Sequence, residues 1–200
     1  MTRKTASIEL LFLVALLLCG CASPRGAASP RPPRLVGAVS GPTYYAAKGD
    51  FSVPIPVSPE LGGRAASDGP GTVTFRDNWG SRITFSLLRF NQDSSMMTVL
   101  QSQGHQTALT EFARRDYGGD ITVHYHPDIL GGAISFIYLR PVGPKTGVAA
   151  FIHGRDICLV ETDLLPGVQL LGQSDERSQA EREDWLENRA LSLAQSMEVK

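Results

Sequence analysis

Charge of one sign is what this chain lacks most plainly: 19 basic residues stand against 20 acidic ones, a formal net charge of −1. Phosphate binding depends on clustered Lys and Arg, so the composition excludes nucleic acid as an expected partner. Long hydrophobic runs are also missing. The longest, Leu10–Leu18 (LLFLVALLL), is less than half of the ~20 residues that a permanent membrane-spanning helix needs. Several catalytic signatures are absent: no His-Glu-x-x-His zinc helix, no Gly-Lys-Ser/Thr phosphate loop and no Gly-x-Gly-x-x-Gly fingerprint. Gly37-Ala38-Val39-Ser40-Gly41 lacks the spacing of a nucleophile elbow. Each absence counts against its own enzyme class and does not exclude every enzyme. What the chain has is 42% apolar residues, 20 glycines and 13 prolines, which suits one turn-rich α+β domain better than a helical bundle or a disordered chain.

The start reads as an address. Arg3 and Lys4 precede the apolar run, and small residues close it, the order of a secretory signal. Leu18-Cys19-Gly20-Cys21 resembles the lipobox of bacterial lipoproteins, with Leu three residues before the acylated cysteine and a small residue just ahead of it. The resemblance implies a signal peptide over 1–20 and lipidation of Cys21. Cys19 does not fit as the acceptor, because Leu18 is too large for the cleavage position. Acyl chains contribute about 0.8 kcal/mol per buried CH2, so two or three of them hold a protein at a bilayer. Ala22, where enterobacterial sorting rules place Asp for inner-membrane retention, implies the outer membrane of a diderm host. Residues 21–42 then form a tether: Pro24, Pro30, Pro32, Pro33 and Pro42 interrupt helix and sheet alike. At ~3.1 Å per residue, twenty extended residues reach ~60 Å.

A single α+β domain is expected over 43–200, with structure beginning near Tyr44. Phe51–Val57 alternates but carries Pro54 and Pro56, so an edge strand is expected. Ser58–Pro70 reads as a loop. Gly71–Leu87 reads as a hairpin whose Val73, Phe75, Ile83, Phe85 and Leu87 share one buried face, with Trp79 folded over the turn or serving as a stacking platform. Helical spacing of Leu100, Ala108, Leu109, Phe112 and Ala113 predicts a helix within 93–117, divided near Gly104 and ended by Gly118-Gly119.

Ile121–His126, Ala133–Leu139, Gly147–His153 and Asp156–Thr162 read as strands. Gly154-Arg155 predicts a type II′ turn that sets His153 opposite Asp156, Phe151 opposite Cys158 and Ala149 opposite Val160. A closing helix presents Leu186, Ala190, Leu193, Ala194 and Met197 as one stripe, with Glu181–Glu187 as a solvated face. The fold class is therefore α+β: a mainly antiparallel sheet of about six to seven strands, with a middle helix and a C-terminal helix packed on it. This order, from Phe51-Ser52-Val53-Pro54 through the Asp77–Gly80 hairpin and the Thr107–Tyr117 helix to the meander ending at Thr162, resembles the PsbP and Mog1-like α+β sandwich. Members of that group serve as assembly factors and accessory binding proteins.

His124-Tyr125-His126 is the candidate site. Residues two apart on a strand share a face, so both imidazoles could ligate one metal ion, with His105, Asp116 or Asp128 as a third donor. The other reading places both on a wet face opposite the apolar Ile121, Val123 and Tyr125. His153 and Asp156 flank a turn and suggest a local polar contact. Cys158, the one free thiol left after cleavage if Cys21 is acylated, reads as an inert core residue. The expectation is a lipid-anchored envelope protein with no cofactor, held to the membrane by acyl chains on Cys21 and binding or helping to assemble an envelope protein or component. The alternatives are a small metal-dependent or hydrolytic envelope enzyme using His124 and His126, and a carrier of a small apolar ligand.

Overall fold

Alternating apolar residues pull Thr72–Arg89 into a hairpin of β5 (Thr72–Arg76) and β6 (Arg82–Arg89), in a register that sets Val73 beside Phe85 and Phe75 beside Ile83. Val73, Phe75, Ile83, Phe85 and Leu87 are all buried in one cluster, as the alternation predicts. The computed structural model describes residues 35–78, 81–89, 94–139, 145–163 and 176–200, and for residues 94–97 and 176–178 the backbone alone. Residues 1–34, with the signal, the lipobox and most of the tether, lie outside the described residues, as does Trp79.

The second hairpin joins β9 (Lys145–His153) to β10 (Asp156–Asp163). Gly154 takes φ +61°, the left-handed value that a II′ turn demands at its first central position. The pairs His153–Asp156, Phe151–Cys158 and Ala149–Val160 form as expected. With β4 (Arg64–Gly69), β7 (His124–His126) and β8 (Ala133–Leu139), these strands make a seven-stranded antiparallel sheet in the order β4-β5-β6-β10-β9-β8-β7. The fold is α+β, with one helix on each side of this sheet.

Both faces of the central strands are apolar because both are covered. On one face Ile134, Phe136, Val148, Ala150, Ile157 and Leu159 pack against Ala108, Leu109, Phe112 and Ala113 of α1 (Ser94–Tyr117). Gly104 breaks α1 at φ +82°, and Gly118, at φ +104°, closes it by donating its N–H to the Arg114 carbonyl. On the other face Ala149, Phe151, Cys158 and Val160 meet Ala190, Leu191 and Ala194 of α2 (Glu176–Gln195). Leu191 is buried where the stripe named Leu193, which is half-buried at the rim. Gly147 of β9 lies directly under α2, leaving no room for a side chain.

A second, four-stranded sheet, in the order β1-β2-β3-β11, supplies Tyr44, Phe51 and Val53 to this same core. Its strands are β1 (Ala38–Ser40), β2 (Thr43–Tyr45), β3 (Phe51–Pro54) and β11 (Glu198–Val199). Among the described residues, regular structure starts at Ala38, inside the span assigned to the tether. β3 is an inner strand and not an edge. β11 reaches only Phe51 and Ser52, so Pro54 lies beyond that ladder, and Ile55 N–H continues the β2 side by bonding the Pro42 carbonyl at 2.7 Å. Ser58–Pro70 is not a loop throughout: it holds a 3-10 turn, Pro59–Leu61, and the bulged edge strand β4. β7 is shorter than the Ile121–His126 expectation, with Ile121 and Val123 packing on the core from non-strand backbone.

Among the described residues, one buried hydroxyl has no hydrogen-bond partner. Thr162 Oγ1 sits in the core with neither donor nor acceptor to meet it. An unmatched buried hydroxyl loses its hydration without compensation, so Thr162→Val is expected to stabilise the domain by about 1 kcal/mol. Thermal unfolding should then shift upward by roughly 2–4 °C. A loss of stability would mean that the hydroxyl is satisfied.

Candidate functional site

The three residues of β7 alternate between the faces of the sheet. Tyr125 joins Ile121 and Val123 on the α1 side, which turns His124 and His126 toward α2. The face that the sequence reading assigned to water is therefore partly roofed by a helix. His124 stays half exposed at 52%, while His126 is partly buried. Glu187, a residue of the stretch expected to be wholly solvated, reaches in from α2 with only 13% of its side chain exposed.

These groups form a chain of hydrogen bonds. His124 Nδ1 lies 2.7 Å from Glu187 Oε2, Ser135 Oγ donates to the same oxygen at 2.8 Å, and His126 Nε2 lies 2.8 Å from Ser135 Oγ. Ser135 is fully buried and has one hydrogen to give, which goes to the carboxylate. His126 Nε2 must then be the donor to Ser135 Oγ, and His124 Nδ1 must carry a proton to bond a carboxylate oxygen. In this arrangement neither nitrogen offers its lone pair to a metal ion. Among the described residues, no three His, Cys, Asp or Glu side chains are arranged to hold one.

The suggested third ligands lie elsewhere. His105 and Asp116 are exposed on α1, which packs on the opposite face, and Asp116 pairs with Arg115 at 2.7 Å. Asp128 is exposed in the turn after β7. His153 and Asp156 face each other across their turn with His153 in solvent. Cys158 is fully buried, and burial pushes its thiol up to about 12, so it stays protonated and inert at neutral pH. Cys21 lies outside the described residues.

Sequence patterning misses a second locality altogether. Two adjoining hollows, of about 310 and 170 Å3, open where the β2–β3 turn, the β4–β5 turn and the end of β6 converge. Both are lined by Lys48, Asp50, Pro70 and Gly71; the larger adds Leu88 and Arg89, and the smaller adds Val36, Ala46 and Ala47. Backbone hydrogen bonds tie the segments around them: Gly49 N–H bonds the Ala46 carbonyl, Leu87 N–H bonds the Gly71 carbonyl at 2.6 Å, and Lys200 N–H bonds the Asp50 carbonyl. Asp50 has Arg89 Nη2 at 3.6 Å from Oδ2, while its buried Oδ1 has no partner. No motif signals this place, since its parts come from three distant stretches of chain.

The fold and these two localities define an α+β sandwich without a recognisable catalytic set among the described residues. No protein-family model matches this chain, and no curated protein matches it. Among solved structures, the chain is similar to cyanobacterial PsbP (CyanoP) from Synechocystis sp. PCC 6803, with a TM-score of 0.49 and 13% identity over 82% of this chain and 96% of that one. It is also similar to a crystal structure from Bacteroides thetaiotaomicron VPI-5482, with a TM-score of 0.43 and 12% identity over 81% of this chain and 49% of that one. At this level neither likeness speaks to ligand or partner.

Proposed function

We propose that this chain is a lipid-anchored cell-envelope protein whose α+β domain binds, or helps to assemble, another envelope protein or component without catalysing a reaction. The observation that carries this reading is the order of its parts: Leu18-Cys19-Gly20-Cys21 closing a short apolar run, a proline-broken stretch, then a domain. An acyl anchor followed by a proline-broken stretch confines a domain to a thin layer beside the membrane, which raises its effective concentration toward anything fixed in the same layer. Ala22 after the acylated cysteine favours the outer membrane in a diderm host. The donor role of both histidines toward Glu187 and Ser135 supports a structural use of that pair.

Two measurements on protein from native membranes test the reading. The mature protein should begin at Cys21 with a mass raised by acyl chains, and globomycin should cause an unprocessed precursor to accumulate. Capture from detergent-solubilised membranes should return the same envelope partner repeatedly. A free thiol at Cys21 sinks the anchor, and captures that share no partner sink the binding role. Stoichiometric zinc that vanishes in a His124→Ala/His126→Ala double variant would replace the reading with the metal-dependent one.

A further inference from the structure

We infer that the face of β4, β5 and β6 bearing Arg64, Arg76 and Arg82 is a docking surface for the anionic phospholipid headgroups of a membrane, a reading that rests on the acyl anchor proposed above and adds a second contact to it. Strand pairing sets the three arginines side by side: Arg64 lies opposite Arg76, and Arg76 opposite Arg82. They form one row across three neighbouring strands, ~10 Å from end to end. Phe75 and Ile83, next to Arg76 and Arg82 along their strands, are buried in the cluster that α2 closes, so alternation turns the row to the other face of the sheet. Like charges directly opposite one another destabilise a sheet, so the row works against the fold. A charge that guards an edge strand against added strands would account for Arg64 on β4. It does not account for Arg76 and Arg82, which stand on inner strands.

Two of the three charges are uncompensated. Asp163 meets Arg82 Nε at 2.7 Å, and Glu161, the other carboxylate of β10 on this face, accepts from the Tyr117 hydroxyl at 2.9 Å. Asp77, next to Arg76, accepts from Ser81 N–H. Arg64 and Arg76 are exposed, and among the described residues neither pairs with a carboxylate; Arg64 Nη1 reaches the Gly62 carbonyl at 3.3 Å. On the opposite side of the sheet α2 carries five acidic and three basic residues. Charge is thus separated across the sheet, positive at the arginine row and negative along α2, which orients the domain beside a negative surface.

Besides arginine, this face of β5 and β6 offers hydroxyls: Thr74 bonds Thr84 at 3.1 Å, and Thr72 bonds Ser86 at 3.3 Å. Its first large apolar side chain is Leu88, at the far end of β6 from Arg82. A protein interface needs an apolar or aromatic centre, which the row and its hydroxyl floor lack. Neither hollow described above reaches the row, so a small anion would meet the arginines in open water, where an exposed ion pair is worth little. A bilayer presents many fixed anions at once, with a surface potential of its own, so each exposed cation adds to the attraction. The path of the chain favours the same side. Val36 and Gly37 N–H bond Asp68, so the stretch that follows Cys21 enters the domain on β4, the strand that carries Arg64.

Resonance energy transfer tests this on the acylated mature protein, reconstituted in vesicles that carry a headgroup acceptor. The donor sits on Ser67→Cys, beside the row, or on Asn188→Cys, exposed on α2; Cys158 is fully buried and acylation blocks Cys21, so the introduced thiol alone takes the label. In an equal mixture of phosphatidylcholine and phosphatidylglycerol, position 67 should transfer more strongly than position 188, and raised salt should abolish the difference. Arg64→Gln and Arg76→Gln should each shift the ratio of docked to undocked domains about fivefold toward undocked. The melting temperature should stay unchanged or rise, because a like-charged neighbour has gone. Equal transfer from the two positions, or a difference that persists in phosphatidylcholine alone, overturns the inference. A lowered melting temperature with an unchanged ratio also overturns it, by making the arginines structural. So does abolition by free glycerol phosphate at matched ionic strength, which would reduce the row to a site for a single phosphate. A second label per chain reports a free Cys21 and sinks the anchor; the docking face then stands or falls by the same comparison on Cys21→Ser protein added to preformed vesicles.

Discussion

Gly147→Ala is expected to destabilise the domain by about 3 kcal/mol, the upper part of the range for forcing atoms into a packed core. For a domain of this size that lowers the melting temperature by roughly 6–12 °C. A Cβ at Gly147 would fall 2.5 Å from the Leu186 carbonyl oxygen and 2.7 Å from its carbon, and both belong to the α2 backbone. No rotamer change relieves such a contact, so the whole helix has to lift. Lifting it opens the cluster that Ala190, Leu191 and Ala194 form with Ala149, Phe151, Cys158 and Val160. It also pulls Glu187 from His124 and Ser135. Gly119→Ala is the matched control, because a Cβ there meets nothing within 4 Å. Thermal unfolding of the two variants decides the matter. If Gly147→Ala costs no more than Gly119→Ala, α2 does not lie this close to β9.

The second large effect concerns the place where the chain enters the domain. Asp68 of β4 accepts hydrogen bonds from Val36 N–H at 2.9 Å, Gly37 N–H at 2.6 Å and the Tyr44 hydroxyl at 2.7 Å. Burial alone would raise its carboxyl, but these donors outweigh burial and hold it below the usual carboxylate range. The same contact acts on Tyr44 in reverse: burial first, then the Asp68 carboxylate, push its hydroxyl above its ordinary value. Asp68→Asn turns an NH2 toward donors that need an acceptor and removes the charge that strengthens the bonds. It is expected to cost about 2–3 kcal/mol, felt first as detachment of residues 36–40.

The pH dependence follows from the lowered carboxyl. A group whose folded pKa is depressed contributes its stabilisation in full above its unfolded value of about 3.9 and loses it as pH falls through the folded value. The contact should therefore persist unchanged across neutral pH and loosen only in acid. The amide NMR signals of Val36 and Gly37 report it directly: they should shift with a common midpoint below about 3.9 in the parent protein. In Asp68→Asn they should not titrate, and they should exchange faster at neutral pH. Unchanged exchange in that variant would show that β1 is held by its pairing with β2 alone.

How much of this was legible depends on the range of the cause. The β9–β10 register could be written from four residues, His153-Gly154-Arg155-Asp156, because a II′ turn dictates pairing locally. The β5–β6 hairpin and the break of α1 at Gly104 were legible for the same reason. β4 was not, since Arg64–Gly69 has no alternation and no β-branched residue; its extended form comes from pairing with β5. β1, β2 and β11 are two or three residues long, shorter than any period can register. Leu191 displaced Leu193 because the direction from which the sheet approaches α2 decides which of two neighbouring leucines is covered. Glu187 stood in a run of charges that looks the same whether it faces water or two histidines.

From its order of residues alone, this protein shows an α+β domain with its two hairpins and the break in its first helix, because turns and alternation act over a few neighbouring positions. Tertiary structure decided which surfaces meet: that α2 roofs the histidines, that Gly147 must stay bare, that Asp68 grips the entering chain, and that Lys48, Asp50 and Arg89 share one corner. Burying both faces of one sheet joins segments far apart in the chain, and no local pattern encodes which of them will meet.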